Sequence, residues 1–447
     1  MKIALHTPAR KRTVAALVIA LATLYTGATA REFFATWLGN RPELTSLKRA
    51  AWLDSGNAEY RNHLGRYYDF VARDPATALE HYRAAVALNP HSASFWLDLA
   101  GAYQIMGDTA NQTAALARAI QADPMTPDVA WDAANFYLVQ GENEKALREF
   151  RIVMANEDDS SLVAMAVQFC WRIEPDVGAL LRDAVPQNAN AYIAFLTLFE
   201  QDVDLLLGKI AKPDADADVD VALLTQQINQ ETAGTFKIWD ALIRSNQPFE
   251  KRYVYDYIRF LIQRREVDEA VTVWRQAAGR FGLSAYLPSP SNLIVNGTFN
   301  LDVLNGGFDW QYQKQSTVTL AFDPTDFHAG RRSLSITFDG PGISDAGLYQ
   351  LIAVQPNTTY QLSAFYKSGE LEGAGGLHLT VQDVYSPAVY YDSDELKEAG
   401  FWKSLDGEFT TGSDCKLVIL HVRRLPAGSP IRGKLWIDDF HLVKKTS

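Results

Sequence analysis

A fixed spacing constrains this chain more than any other feature. Pro90 and Pro124, Tyr103 and Tyr137, and Gly107 and Gly141 are each 34 residues apart. Self-similarity at that period means a short helical unit, copied and stacked, because a lone unit leaves its apolar face uncovered. Within one period, Trp96, Leu99, Ala100, Tyr103 and Gly107 predict a helix and its turn, and Leu116, Ala119 and Pro124 predict a second helix and its stop. The next copy shows Trp131 (one residue out of register), Ala134, Tyr137, Gly141, Ala146, Leu147 and Phe150. An earlier copy shows Tyr60, Leu64, Gly65, Tyr68, Ala78, Leu79, Tyr82, Ala85 and Pro90, with a longer turn around Asp74-Pro75.

That order of residues resembles the tetratricopeptide repeat. Small residues such as Ala100 and Ala134 stand where the two helices of a unit touch, and Tyr and Phe fill the gap to the next unit. Past Val153 the period decays, yet apolar residues recur at three and four over 161–172, 176–185, 189–207, 235–244, 250–263 and 267–280, the amphipathic helical signature. The expected first domain is therefore a tetratricopeptide-like α-solenoid over 44–281, clearest over 58–156. Such solenoids present an extended concave surface, which implies a protein partner.

Ahead of it, Lys2, Arg10, Lys11 and Arg12 precede an apolar stretch from Val14 to Tyr25, and no charge falls between Thr13 and Ala30. Ala28-Thr29-Ala30 then stands before Arg31. A positive flank, an apolar segment and an A-x-A site are the parts of a signal peptide. The same 18 uncharged residues are long enough for a tilted membrane span. Residues 1–30 are thus a signal peptide or a membrane anchor. In both cases the positive flank keeps the N-terminus inside and sends everything after Arg31 out of the cytoplasm, so the chain is periplasmic, membrane-anchored or extracellular. The alternating Asp214, Asp216, Asp218 and Asp220 read as a solvated loop, because counting from Asp214 a calcium loop needs Gly and Glu where Val219 and Thr225 stand.

Around Pro288-Ser289-Pro290-Ser291 the texture changes, since prolines so spaced cannot continue a helix. Residues 282–291 form the expected linker. From Asn292 onward short alternating runs, such as Leu334-Ser335-Ile336-Thr337-Phe338, are punctuated by Gly, Asn, Asp and Pro. They predict an antiparallel β-sandwich, a jelly roll, over 292–447. The fold class is therefore multidomain, α then β.

The wording of this half resembles the galactose-binding-like jelly rolls, and among them the carbohydrate-binding modules appended to xylanases and glucanases. The resemblance rests on Asn292 through Phe299, on Gly307-Phe308-Asp309-Trp310, on Gly330-Arg331-Arg332-Ser333-Leu334, on Val354 through Tyr360, and on the closing Leu435-Trp436-Ile437-Asp438-Asp439-Phe440. It implies a polysaccharide or glycan ligand. It also implies a structural calcium ion held by the opening and closing strands, which by position points to Asn296, Gly297 and one of Asp438 or Asp439. Sugar binding asks for exposed flat rings that stack on pyranose faces, with amides and carboxylates nearby. Tyr385, Tyr390 and Tyr391 in one loop, together with Tyr312 beside Gln311 and with Trp402, are the candidates. Neighbours in an extended segment face opposite ways, so one of Tyr390 and Tyr391 at most serves a ligand. Trp310, Trp436, Phe365 and Tyr360 match positions that relatives bury.

The remaining composition excludes function classes. With 42 basic against 53 acidic residues the net charge is −11, which leaves no basic excess for nucleic acid. Cys170 and Cys415, the only cysteines, fall in different expected domains and form no disulfide scaffold. No H-E-x-x-H, G-x-S-x-G, phosphate loop or dinucleotide fingerprint occurs. Glycoside-cleaving carboxylate pairs leave no sequence signature, but neither expected domain resembles a glycosidase scaffold, so the chain is read as non-catalytic and in need of no cofactor beyond calcium. The resulting expectation is an exported adaptor, with helices docking a protein and a sandwich binding a glycan. Its build is similar to bacterial exported repeat proteins of exopolysaccharide assembly. The alternative is a scaffold whose sandwich meets no sugar.

Overall fold

The computed structural model describes residues 8–212, 220–373, 375–397 and 399–445. Among them the chain forms fourteen α-helices followed by two antiparallel sheets, α then β as the alternation patterns require. It divides into two compact units, Met1–Ser245 and Asn246–Ser447.

The first unit holds α1 (Pro8–Gly39), α2 (Leu44–Leu53), α3 (Ala58–Arg66), α4 (Pro75–Leu88), α5 (Ala93–Ile105), α6 (Thr109–Ala122), α7 (Pro127–Val139), α8 (Asn143–Asn156), α9 (Ser160–Ile173), α10 (Val177–Asp183), α11 (Ala189–Ala211) and α12 (Val221–Ser245). Its starts are written in the sequence: the side chains of Asp74, Asp108, Asp176 and Asn188 each accept the backbone N–H three residues on. The turns inside the 34-residue units are made by Gly107 and Gly141, whose φ values of +71° and +74° suit a residue without Cβ. Ala100 and Ala134 are fully buried where the helices meet. A wider, π-type turn, Tyr67–Val71, supplies the longer connection ahead of Asp74. Asp214, Asp216 and Asp218 lie outside the described residues. Asp220 caps α12 by accepting from the Leu223 N–H at 3.0 Å.

The second unit begins with two helices, α13 (Lys251–Gln263) and α14 (Val267–Phe281), and continues into strands β1 (Gln311–Tyr312), β2 (Val318–Asp323), β3 (Ser333–Gly342), β4 (Asp345–Ala353), β5 (Thr359–Glu372), β6 (Gly376–Asp383), β7 (Val389–Asp392), β8 (Lys403–Thr410), β9 (Leu417–Leu425) and β10 (Pro430–Lys444). The sheets run β1-β4-β9-β6-β7 and β2-β3-β10-β5-β8. Between them lies one apolar core that includes Phe299, Trp310, Ile336, Phe338, Tyr360, Leu420, Leu435 and Phe440.

The division at Ser245 places α13 and α14 with the sandwich, although the helical pattern runs unbroken to Phe281. Specific contacts explain this. Gly306 and Gly307 lie under the rings of Tyr255 and Trp274, so closely that a Cβ would fall 2.6 and 2.4 Å from them. The Trp274 indole N–H donates to the Tyr286 carbonyl at 3.0 Å, and the Tyr286 hydroxyl donates to that of Asp302 at 2.7 Å. Asp309 is fully buried at this junction. One of its oxygens accepts from the Leu304 N–H at 2.7 Å, and the other is buried without a hydrogen bond. Burial pushes this carboxyl up to about 6, with the Leu304 N–H pulling the other way.

Candidate functional site

The five rings expected to meet sugar have different surroundings. Tyr385 is committed to the helices: its hydroxyl donates to the Ile262 carbonyl at 2.7 Å, and the Arg265 guanidinium lies 5.2 Å from its ring centre. Burial raises its hydroxyl to about 12. Tyr390 packs on the core, stacked on Phe409, and donates to Asp383 at 3.1 Å. Tyr391 also packs on the core and covers Gly407 so closely that a Cβ there would fall 2.1 Å from its ring. The two neighbours thus do not split between core and solvent. β7 is irregular at this point, pairing Val381 with Tyr391 and Gln382 with Val389, and the shift lets both rings help close the side of the sandwich. Tyr312 remains 45% exposed, on the edge strand β1.

Trp402 is half-buried and belongs to a larger arrangement on the outer face of the β2-β3-β10-β5-β8 sheet. Alternation builds that face. Leu435 and Ile437 point into the core, so Trp436 between them points out, opposite Lys367 of β5. The same logic turns Phe365 outward between Ala364 and Tyr366. This contradicts the expectation that Trp436 and Phe365 are buried like Trp310 and Tyr360, which are both 1% exposed. The strand period alone carried the signal for both outward rings.

Two carboxylates fix the indoles. Asp323 accepts from the Trp436 indole N–H at 2.8 Å and pairs with Lys434 at 3.3 Å. Asp326 accepts from the Trp402 indole N–H at 3.2 Å and pairs with Lys367 at 2.5 Å. The Lys367 and Lys434 ammonium groups lie 5.6 and 4.3 Å from the Trp436 ring centre, so one strip joins the two sets. The Thr325 hydroxyl, the Trp436 indole and Lys434 hold the Asp323 carboxyl well below the usual carboxylate range. Trp436 lies over Gly369, whose missing side chain leaves room for the ring: a Cβ there would meet it at 3.0 Å. Beside the strip, His328 stacks on Phe365 with 11° between the rings and stands 6.0 Å from Trp402. The result is a set of oriented flat rings bordered by charged hydrogen-bonding groups.

The residues expected to hold calcium do not fit a shared cation. Asp438 is fully buried, and its oxygens accept from the N–H groups of His328, Ala329 and Asp439 at 2.8, 2.9 and 2.8 Å. Asp439 faces His328 and His441, each at 3.0 Å. The Asn296 side chain closes its own loop on the backbone of Leu301, and the Gly297 carbonyl accepts from the Phe440 N–H. Among the described residues no group of three or more His, Cys, Asp or Glu side chains is placed to hold a metal ion. The opening and closing strands are joined by hydrogen bonds instead.

Residues 291–425 match the family model described as a carbohydrate binding domain. No curated protein matches the chain. Similar solved structures cover about a third of it. One described as CBM4 structure and function shares 16% identity over 34% of this chain and 99% of its own, with a TM-score of 0.27. The CBM22-1 xylan-binding domain from Paenibacillus barcinonensis shares 17% over 34% and 93%, at 0.24. A family 16 carbohydrate-binding module shares 24% over 34% and 99%, at 0.25. The family match over residues 291–425 falls within the C-terminal β-sandwich.

Proposed function

We propose that the chain is a membrane-tethered, non-catalytic adaptor whose C-terminal unit binds a polysaccharide on the outer face of the β2-β3-β10-β5-β8 sheet. The observation that carries this reading is the tethered pair Trp436 and Trp402, in a domain whose sequence matches a carbohydrate-binding family. Stacking on a pyranose ring gains most when the indole is held in place beforehand, because little side-chain freedom is then lost on binding. The lysines and carboxylates at the edges supply donors and acceptors for hydroxyls. The helical unit, with its repeating hairpins, docks a protein partner, and the two functions together suit exopolysaccharide assembly. α1 acts as the anchor, since it is apolar and wholly exposed over an 18-residue window of mean hydropathy 1.7.

The test is binding of the full chain to a glycan array, followed by calorimetry with the best ligand. Trp436→Ala and Trp402→Ala should each weaken binding about tenfold or more, the usual cost of truncating a central stacked indole, about 1.5–3 kcal/mol. Far- and near-UV circular dichroism should stay unchanged. Absence of binding to every glycan would instead favour a purely structural scaffold.

A further inference from the structure

We infer that the first helical unit rests against the bilayer that α1 enters, with Trp52 seated among the lipid headgroups. This rests on the reading of α1 as a retained anchor. α1 continues without a break through Ala28-Thr29-Ala30 to Gly39, and its last turn is part of the fold. Ala35 is fully buried, and Gly39 meets Tyr60 so closely that a Cβ would fall 2.3 Å from the ring. The Tyr60 hydroxyl reaches Thr36 at 3.3 Å, and a ring nitrogen of His63 lies 3.2 Å from the Gly39 carbonyl. Four residues, Arg31 to Phe34, separate the uncharged segment from Ala35. At a rise of 1.5 Å per residue that is about 6 Å of rigid helix, and no linker lets the unit swing away.

The hairpin then returns toward the membrane. α2 packs on α1 after a turn centred between Arg41 and Pro42, and counting equal helical lengths back from that turn brings Trp52 to the level of Arg31, the first residue past the uncharged segment. Trp52 is 79% exposed, the most exposed large apolar side chain among the described residues. Lys48 and Arg49 are exposed on the same short helix, and Phe33 and Phe34 are exposed on α1 at the same height. Indoles settle at the headgroup level of either leaflet, where the ring is shielded and the N–H stays wet, and the long stems of basic residues beside them reach the same polar layer. α3 carries the chain away again. Phe70, also exposed at 72%, lies in the π-type turn beyond the far end of α3, whose eight helical steps from Ala58 to Arg66 alone span about 12 Å. It is the internal control.

The full chain, reconstituted in vesicles of phosphatidylcholine and phosphatidylglycerol, tests this with a nitroxide placed by Trp52→Cys or by Phe70→Cys. Cys170 and Cys415 are buried and stay unlabelled. The label at 52 should collide more with oxygen, which concentrates in lipid, than with a water-soluble nickel chelate, and the label at 70 should do the reverse. Equal aqueous exposure at both positions in chains that float with the vesicles overturns the inference and leaves the anchor intact. Protection of position 52 from both reagents overturns it too, because a protein then covers Trp52. Chains that do not float overturn the anchor reading together with the inference. Ser55→Cys, an exposed position in the following turn, repeats the measurement should Trp52→Cys fold poorly.

Discussion

Asp309→Asn should stabilise the C-terminal unit at neutral pH and remove much of its pH dependence. The buried carboxyl titrates at about 6, whereas in an unfolded chain an aspartate titrates near 3.9. Between those values the folded unit keeps a proton that the unfolded chain has released. Stability contributed by this group is therefore full below about pH 4, falls as pH rises, and levels off above about pH 6. A difference of about two pH units corresponds to about 3 kcal/mol lost by pH 7.5. The physical cause is burial of the carboxyl, which outweighs the hydrogen bonds that favour its charge, beside Tyr255 and Tyr286, whose own hydroxyls are raised by burial and then by this carboxylate. Asparagine keeps the acceptor for the Leu304 N–H and carries no charge. Urea titrations at pH 4.5, 6 and 7.5, read by hydrogen exchange in peptides from β5 and β10, isolate this unit from the other transition. The variant should gain up to about 3 kcal/mol over the parent at pH 7.5 and far less at pH 4.5. A gain independent of pH, or a loss at pH 7.5, would refute the assignment of a protonated carboxyl to this junction.

The same unit allows two further tests. Gly307→Ala forces a Cβ into the Trp274 ring at a φ of +61°, so it should cost about 2–4 kcal/mol and speed amide exchange along α13 and α14; unchanged exchange would mean that the helices do not need this contact. Chelation of divalent cations should leave the melting temperature of the unit unchanged, whereas Asp438→Ala, which strands the three N–H groups it now accepts from, should lower its stability by about 3 kcal/mol. A stabilisation by added calcium would show that the carboxylate serves an ion after all.

The helical hairpins were legible because their constraints are local. Gly107 and Gly141 turn the chain where the period puts them, and Ala100 and Ala134 are small where two helices touch. The β-sandwich was legible for the same reason, since alternation is a nearest-neighbour property. What the sequence hid were partners far apart along the chain. Asp323 is 113 residues from Trp436, Asp326 is 76 from Trp402, and Ile262 is 123 from Tyr385. Whether a tyrosine is available or engaged depends on such partners, so Tyr385, Tyr390 and Tyr391 looked alike with Tyr312 until their neighbours were in place. The allocation of α13 and α14 was hidden likewise, because helical periodicity does not say which core a helix serves. That is decided by Gly306 and Gly307, which make room for two rings.

The carboxylate that holds Trp436 has a consequence for how the protein responds to acid. Asp323 is held ionised by its donors, so acid that protonates ordinary carboxylates leaves the grip on Trp436 in place. Asp309, at the other extreme, weakens the frame only when it is ionised. Acidification therefore tightens the scaffold while the carboxylate-held indole of Trp436 keeps its place.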